Sequence, residues 1–255
     1  MRALTATGIF LALYACAPAA AVAPPRWSPD VDAARKYAAD RRGVVSFAVR
    51  TERRAWGHRR RRTVPAASVL KPMLMVAYLN HRSVRDRPLR RRDRRLLRPM
   101  IRRSDNTTAS HVRNFVRNRG LRRVARRAKM RRFTPVAHPW GSSRVNAADQ
   151  ARFFLRLDRL VVRRHRDTAL RLLASVVKPQ RWGVGRVAPS GWRLHFKGGW
   201  GSGTGAVDHQ VALLRRDGMR VAVAVMTEAN GSHRYGKRTL RGVFRRLLRG
   251  LARVQ

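Results

Sequence analysis

The spacing of apolar positions along this chain changes period twice. After "PPRWSPD" at 24–30, "DVDAARKYAAD" is spaced for a helix, with Ser28 or Asp30 placed to cap it. "GVVSFAVRTE" at 43–52 is rich in β-branched and apolar residues and predicts a strand; "RAWGHRRRRTV" at 54–64 predicts its antiparallel return. A helix opens at about Ser68 and runs to about Asn80, and Pro72, with no N–H for the ladder, belongs in its first turn. From 86 to 179 the period is helical. Leu96, Leu97, Met100 and Ile101 share one face, as do Val112, Phe115 and Val116, and then Leu121, Val124, Ala125 and Ala128. Residues 146–161 predict one helix capped by Asn146, and "RHRDTALRLLASVV" predicts another.

After "KPQRWGVG" the strand pattern returns. "WRLHFKGGW", "HQVALLRRDG" and "MRVAVAVMTEA" predict three sequential strands, with Arg216-Asp217-Gly218 as a hairpin turn. Leu240, Val243, Phe244, Leu247, Leu248 and Leu251 then form the stripe of a terminal amphipathic helix, its arginines facing water. The order is helix, strands, helical block, strands, helix. It predicts an α/β fold of the α+β type: a mainly antiparallel five-stranded sheet flanked by helices, with an inserted all-helical subdomain. Residues 24–66 and 180–255 would form the discontinuous α/β part and residues 67–179 the helical part.

The first residues follow another grammar. Arg2, the apolar run "ALTATGIFLALYACA" and the small residues "APAAAVA" predict an export signal over residues 1–23, too short for a membrane-spanning helix. Cys16, the one cysteine, lies inside it, so no internal disulfide can form; Tyr14 departs from the usual lipid-anchor pattern, and plain secretion is favoured over lipidation. No later segment is apolar enough to span a membrane. The expected location is secreted or in the cell envelope.

Charge alters the picture of partners more than that of fold. Lys and Arg number 59 against 13 acids, a formal net charge of +46. Such a surface attracts anionic envelope polymers without specificity. The arginines are spread over the whole chain, with no zinc-finger spacing and no aromatic-glycine RNA signature, so no specific nucleic-acid partner is read. The scattered histidines suggest no metal site, and no cofactor is implied. Only six of the cations are lysines, and one, Lys71, stands in apolar company three residues after Ser68. Arginine keeps its proton at any relevant pH, whereas a desolvated lysine can release it and act as a base.

Two further pieces have the same character. Ser104-Asp105-Asn106 lies at a break between predicted helices, and Lys197-Gly198-Gly199 ends a predicted strand where glycines admit a close approach. Each alone has a plain structural reading: a surface lysine, a helix cap, a turn. In this order, Ser-x-x-Lys, Ser-Asp-Asn and Lys-Gly-Gly, the chain resembles the class A β-lactamases and related penicillin-recognising serine hydrolases over nearly its whole mature length. The carrying stretches are "PAASVLKPML", "MIRRSDNT" and "HFKGGW".

That resemblance implies roles. Ser68 would be the acylated nucleophile, Lys71 its base, and Ser104 the proton donor to the leaving nitrogen. Asn106 would bind the substrate amide, Lys197 the substrate carboxylate, with Gly198 and Gly199 along the binding strand. Ser68 and Trp200 N–H groups would form the oxyanion hole. The substrate would be a β-lactam or a cell-wall amide or peptide, and the protein a monomer. Lys197, as a second cation, would help lower the pKa of Lys71.

Two departures qualify it. Gly198 stands where the family has Thr or Ser, leaving Ser202 or Thr204 as substitutes. The glutamate that activates the deacylating water is also missing: the only glutamates are Glu52 and Glu228, and neither lies between the second and third motifs. His138 and Asp149 are the nearest alternatives, read respectively as a structural loop residue and a helix first-turn acid. Deacylation is therefore expected to be slow or absent, and the alternative reading is a non-catalytic or acyl-trapping envelope-binding protein of the same fold.

Overall fold

The computed structural model describes residues 27–201 and 206–253. The predicted export signal with Cys16, and the proposed substitutes Ser202 and Thr204, lie outside the described residues. The sheet contains β1 (Val44–Arg50), β2 (Ala55–His58), β5 (Arg193–Gly201), β6 (Val207–Arg216) and β7 (Met219–Glu228), in the order β2-β1-β7-β6-β5, with every pair antiparallel. The first and last strands of the sheet in chain order, β1 and β7, are therefore paired side by side. β5 is an edge strand.

Both faces of the sheet are covered, which is why β7 reads as an unbroken apolar run. Alternate side chains point to opposite faces. Val221, Val223 and Val225, with Phe47 and Val49, pack against α1 (Val31–Ala39, capped by Asp30) and α8 (His233–Leu247). Ala222, Ala224 and Met226, with Ala48, pack against the helices inserted between the two groups of strands. Leu240, Val243, Phe244 and Leu247 of α8 are buried as their spacing requires; Leu248 and Leu251 continue the stripe beyond the helix end.

The inserted helices are α2 (Lys71–Leu79), α3 (Arg91–Arg102), α4 (Asn106–Arg127), α5 (Ala147–Leu155), α6 (Leu157–Leu160) and α7 (Arg166–Ala174). Every residue of α2 is buried, the signature of a helix that is apolar all round and sits at the centre of the helical layer. A short pairing of β3 (Val64–Pro65) with β4 (Arg144–Val145) was not visible in the periodicity.

The single helix expected over 146–161 is broken at Arg156. Arg220, at the start of β7, supplies the reason. Its guanidinium donates to the carbonyl of Leu155 and grips Asp158 with both arms, at 2.9 and 2.6 Å. A carbonyl and a carboxylate drawn to one fork end α5 and start α6, and they tie the helical layer to the sheet.

A second constraint acts at the edge strand. A 3-10 turn, Ala67–Leu70, precedes α2 and rests on β5. A Cβ on Gly199 would lie 2.7 Å from the Ser68 nitrogen and 2.8 Å from that of Val69, so only glycine lets the strand approach this turn. On the opposite side of the strand, a Cβ on Gly198 would meet the Trp182 ring at 2.9 Å.

Replacing Arg220 by Met is expected to destabilise the fold by about 3 kcal/mol, because Asp158 would be left largely buried without its partner. Arg159→Met, which removes an exposed pair with Glu52, should change stability by less than about 0.5 kcal/mol. Urea unfolding of the two variants measures the contrast, and equal effects would refute the assigned role of Arg220. In the same assay Gly198→Ala should cost about 1–3 kcal/mol through overpacking against an indole edge. Gly199→Ala should cost more, because backbone cannot step aside.

Candidate active site

The turn bearing Ser68 is held from several directions. Ala66 donates its N–H to the Ser143 carbonyl at 2.8 Å. The carbonyl of Pro65 is 2.9 Å from His209 Nε2, and Thr227 N–H donates to His209 Nδ1 at 3.2 Å. That second bond assigns the ring proton to Nε2, which donates to Pro65. Burial lowers the His209 pKa to about 4, so the ring is neutral and serves as a strut. Ala67, just before Ser68, has φ of 45°, a left-handed conformation that costs a non-glycine residue energy and is held by its surroundings.

Ser104 sits in the break between α3 and α4, also with positive φ, at 61°. The reading of this stretch as a cap holds for its middle residue: the Asp105 carboxylate accepts from Thr108 N–H at 2.7 Å and starts α4. Asp105 N–H in turn donates to Pro99 O at 3.2 Å. The motif therefore divides its work. Asp105 ends one helix turn and begins the next, which leaves Ser104 and Asn106 to face α2.

These three segments converge on a pair of lysines. Lys71 Nζ donates to the Ser104 carbonyl, to Ser104 Oγ at 3.1 Å and to Asn106 Oδ1 at 2.8 Å. Lys197 Nζ donates to the same Ser104 Oγ at 2.8 Å and to Gly198 O at 2.6 Å. Both lysines are fully buried, Ser68 is nearly so, Ser104 is half-buried and Asn106 is exposed. Lys197 lies mid-strand in β5 rather than at a strand end. Among the described residues no hydrogen bond joins Ser68 Oγ to Lys71 Nζ.

Burial lowers the Lys71 pKa to about 7, against an opposing pull from Asp105. Burial also drives Lys197 well below its ordinary value, and there the charge of Lys71 adds to the effect. The expected second-cation effect thus falls on Lys197, while desolvation governs Lys71.

Two aromatic residues, Trp140 and Trp182, escaped the sequence reading, and a third, Trp200, was read for its backbone N–H alone. Trp140 lies in the loop between the second and third motifs, with its ring centroid 5.2 Å from Lys71 Nζ, a cation–π contact. Its Nε1 donates to Ser110 Oγ at 3.1 Å. Trp182 backs Gly198, and its carbonyl accepts from Gln210 Nε2 at 2.8 Å. Trp200, 38% exposed, stacks on the His233 ring at 5.1 Å, and His233 Nδ1 is 2.5 Å from the buried Asp208 carboxylate. A tryptophan flanked by Pro and Gly in "HPWGSS" and by Gly in "RWGVG" was the available clue.

Among the described residues the carboxylates that could be candidate bases have other partners. Glu228 is paired with Arg62 at 2.7 Å and Glu52 with Arg159 at 3.0 Å. Asp149 is in the first turn of α5, as read. It accepts from the N–H groups of Arg131 and Arg132, from Asn146 Nδ2 and from Arg152. His138 is exposed. Among the described residues no group of three or more His, Cys, Asp and Glu could hold a metal, and no helix is long and apolar enough to cross a membrane.

Solved structures share this architecture. A β-lactamase from Sphaerobacter thermophilus DSM 20745 superposes with a TM-score of 0.71 at 21% identity, over 86% of this chain and 96% of that one. A β-lactamase from Xanthomonas campestris pv. campestris scores 0.72 at 14% identity, over 86% and 96%. An ancestral class A β-lactamase scores 0.71 at 16% identity, over 86% and 98%. At such identities the likeness establishes the fold. A sequence search of curated proteins finds no match. The model of the β-lactamase enzyme family matches residues 83–249, which include Ser104, Asn106 and Lys197–Trp200 but begin after Ser68 and Lys71. With that match over more than half its length and a class A-like fold, this chain belongs to the β-lactamase enzyme family.

Proposed function

We propose that this protein is an exported active-site serine hydrolase that is acylated at Ser68 by a β-lactam or a cell-wall amide and releases the acyl group slowly. The observation that carries the reading is the shared hydrogen-bond chain of Lys71, Ser104 and Lys197 beside the buried Ser68.

In this reading neutral Lys71 takes the proton of Ser68 as Oγ bonds to the substrate carbonyl carbon. The developing oxyanion is stabilised by the N–H groups of Ser68 and Trp200, and losing one such donor costs about 2.7–4 kcal/mol. The amide C–N bond then breaks. The proton passes from Lys71 through Ser104 Oγ to the departing nitrogen, so the chain ends acylated with the leaving amine protonated. Asn106 keeps its amide N–H groups for the substrate because its oxygen already accepts from Lys71. In the same reading Lys197 Nζ, bonded to Ser104 Oγ, receives the substrate carboxylate, whose negative charge favours the protonated amine. Gly198 brings no hydroxyl, and Trp182 occupies the space one would need.

Slow deacylation is supported by where the acids stand. The loop that carries the water-activating glutamate in the family here turns Trp140 toward Lys71. Glu52, Glu228 and Asp149 are engaged by arginines.

Intact-protein mass spectrometry after mixing with excess benzylpenicillin should show one adduct per chain that persists, and none on Ser68→Ala. An adduct that clears with product release would retain the nucleophile and overturn slow deacylation. No adduct would refute penicillin recognition and favour a non-catalytic binder.

Acylation should also depend on pH in one direction. Below about 7 Lys71 holds its proton and cannot accept another; above it the amine is free. The acylation rate should climb about tenfold per unit well below the pKa and flatten above it. A rate that does not change between pH 5.5 and about 8.5 would remove Lys71 as the base.

A further inference from the structure

A cavity of about 250 Å³ lies between the β1–β2 hairpin, the segment after α4 and the first turn of α5. It shares no residue with the Ser68 site. Six arginines line it: Arg50, Arg60, Arg61, Arg131, Arg132 and Arg152. Its walls are fixed by backbone: Ala148 N–H donates to Arg60 O at 2.9 Å, and Arg131 and Arg132 N–H donate to Asp149.

Asp149 is the single carboxylate in the lining, and its capacity is used. It accepts those two amides, the Asn146 side chain and the Arg152 guanidinium at 3.1 Å. Arg60 reaches the Ala55 carbonyl at 3.4 Å. The side chains of Arg50, Arg61, Arg131 and Arg132 have no hydrogen bond or ion pair among the described residues. Burial pushes Arg152 below its usual pKa, Asp149 opposes this, and Arg50 and Arg131 add to the lowering. Cations are crowded here around a concave space that no internal anion fills.

We propose that this cavity binds a small phosphate-type polyanion of about the size of pyrophosphate. Guanidinium forks pair two-by-two with phosphate oxygens, and several forks around one concavity favour an anion with more than one charge over chloride. The volume falls just below the usual range for drug-sized organic ligands, about 300–1,000 Å³, and so favours a compact ion.

Titration calorimetry of the full chain with pyrophosphate, in about 0.15 M sodium chloride to screen the general surface field, tests this. Saturable binding of one ion per chain is expected. Arg50→Gln/Arg132→Gln should weaken it by at least about tenfold, as should the independent pair Arg61→Gln/Arg131→Gln. Arg122→Gln/Arg126→Gln, which removes the same charge from exposed positions on α4 outside the cavity, should leave it within about twofold. Circular dichroism confirms that each variant is folded. Equal weakening by all three pairs would show a diffuse charge effect and overturn the proposal, as would binding that never saturates or no binding.

Discussion

Two buried lysine Nζ atoms share one serine hydroxyl, and much of the architecture serves that arrangement. Water would solvate both groups and return their pKa values toward the ordinary lysine range. Here Lys71 begins a helix buried along its whole length, and Lys197 lies inside a strand covered on both faces. The nearest compensating charge, Asp105, is bound to its own helix cap. Desolvation therefore makes proton loss inexpensive at both lysines. The strained turns at Ala67 and Ser104 are the local cost of aiming three segments at one point. They persist because His209, Ser143 and the close approach of Gly199 fix the Ser68 turn on several sides.

The element order was legible because local spacing dictates it. The terminal helix displayed its stripe, and the three late strands were separated by turn residues. The break at Arg156 was not legible, because its cause is Arg220 on another strand. The same division holds at the site. Ser68, Lys71, Ser104, Asn106 and Lys197 sit in short motifs whose spacing carries chemistry, and the fold brings them together. Trp140, Trp182 and His209 act through contacts made across the fold, and no local pattern marks such a role. The Lys71 shift was half legible: its apolar neighbours announced the desolvation that governs it, whereas the effect of the second cation falls on Lys197 instead.

Gly198 shows how a departure from a family pattern can be structural in origin. Restoring a hydroxyl there would drive a Cβ into the Trp182 ring. Trp182 cannot retreat easily, since Gln210 bonds its carbonyl and also accepts from Val184 N–H. Gly183, in a left-handed conformation with φ of 57°, admits the Gln210 amide where a side chain would collide. The missing hydroxyl is thus one end of a packed unit of Trp182, Gly183 and Gln210, and a single substitution cannot recover it.

The arginine surplus bears on the site through what it excludes. Most acids of this chain are drawn into pairs with guanidinium groups, including both glutamates. A carboxylate that must activate water has to remain available, and among so many strong donors availability is hard to preserve. Asp149 makes the point: it occupies the first turn of the helix that follows the Trp140 loop, and four donors hold it there. Of the six lysines, Lys71 and Lys197 are the two that are buried, and both lie at the site. Desolvation brings both within reach of losing a proton, which the surrounding arginines cannot do.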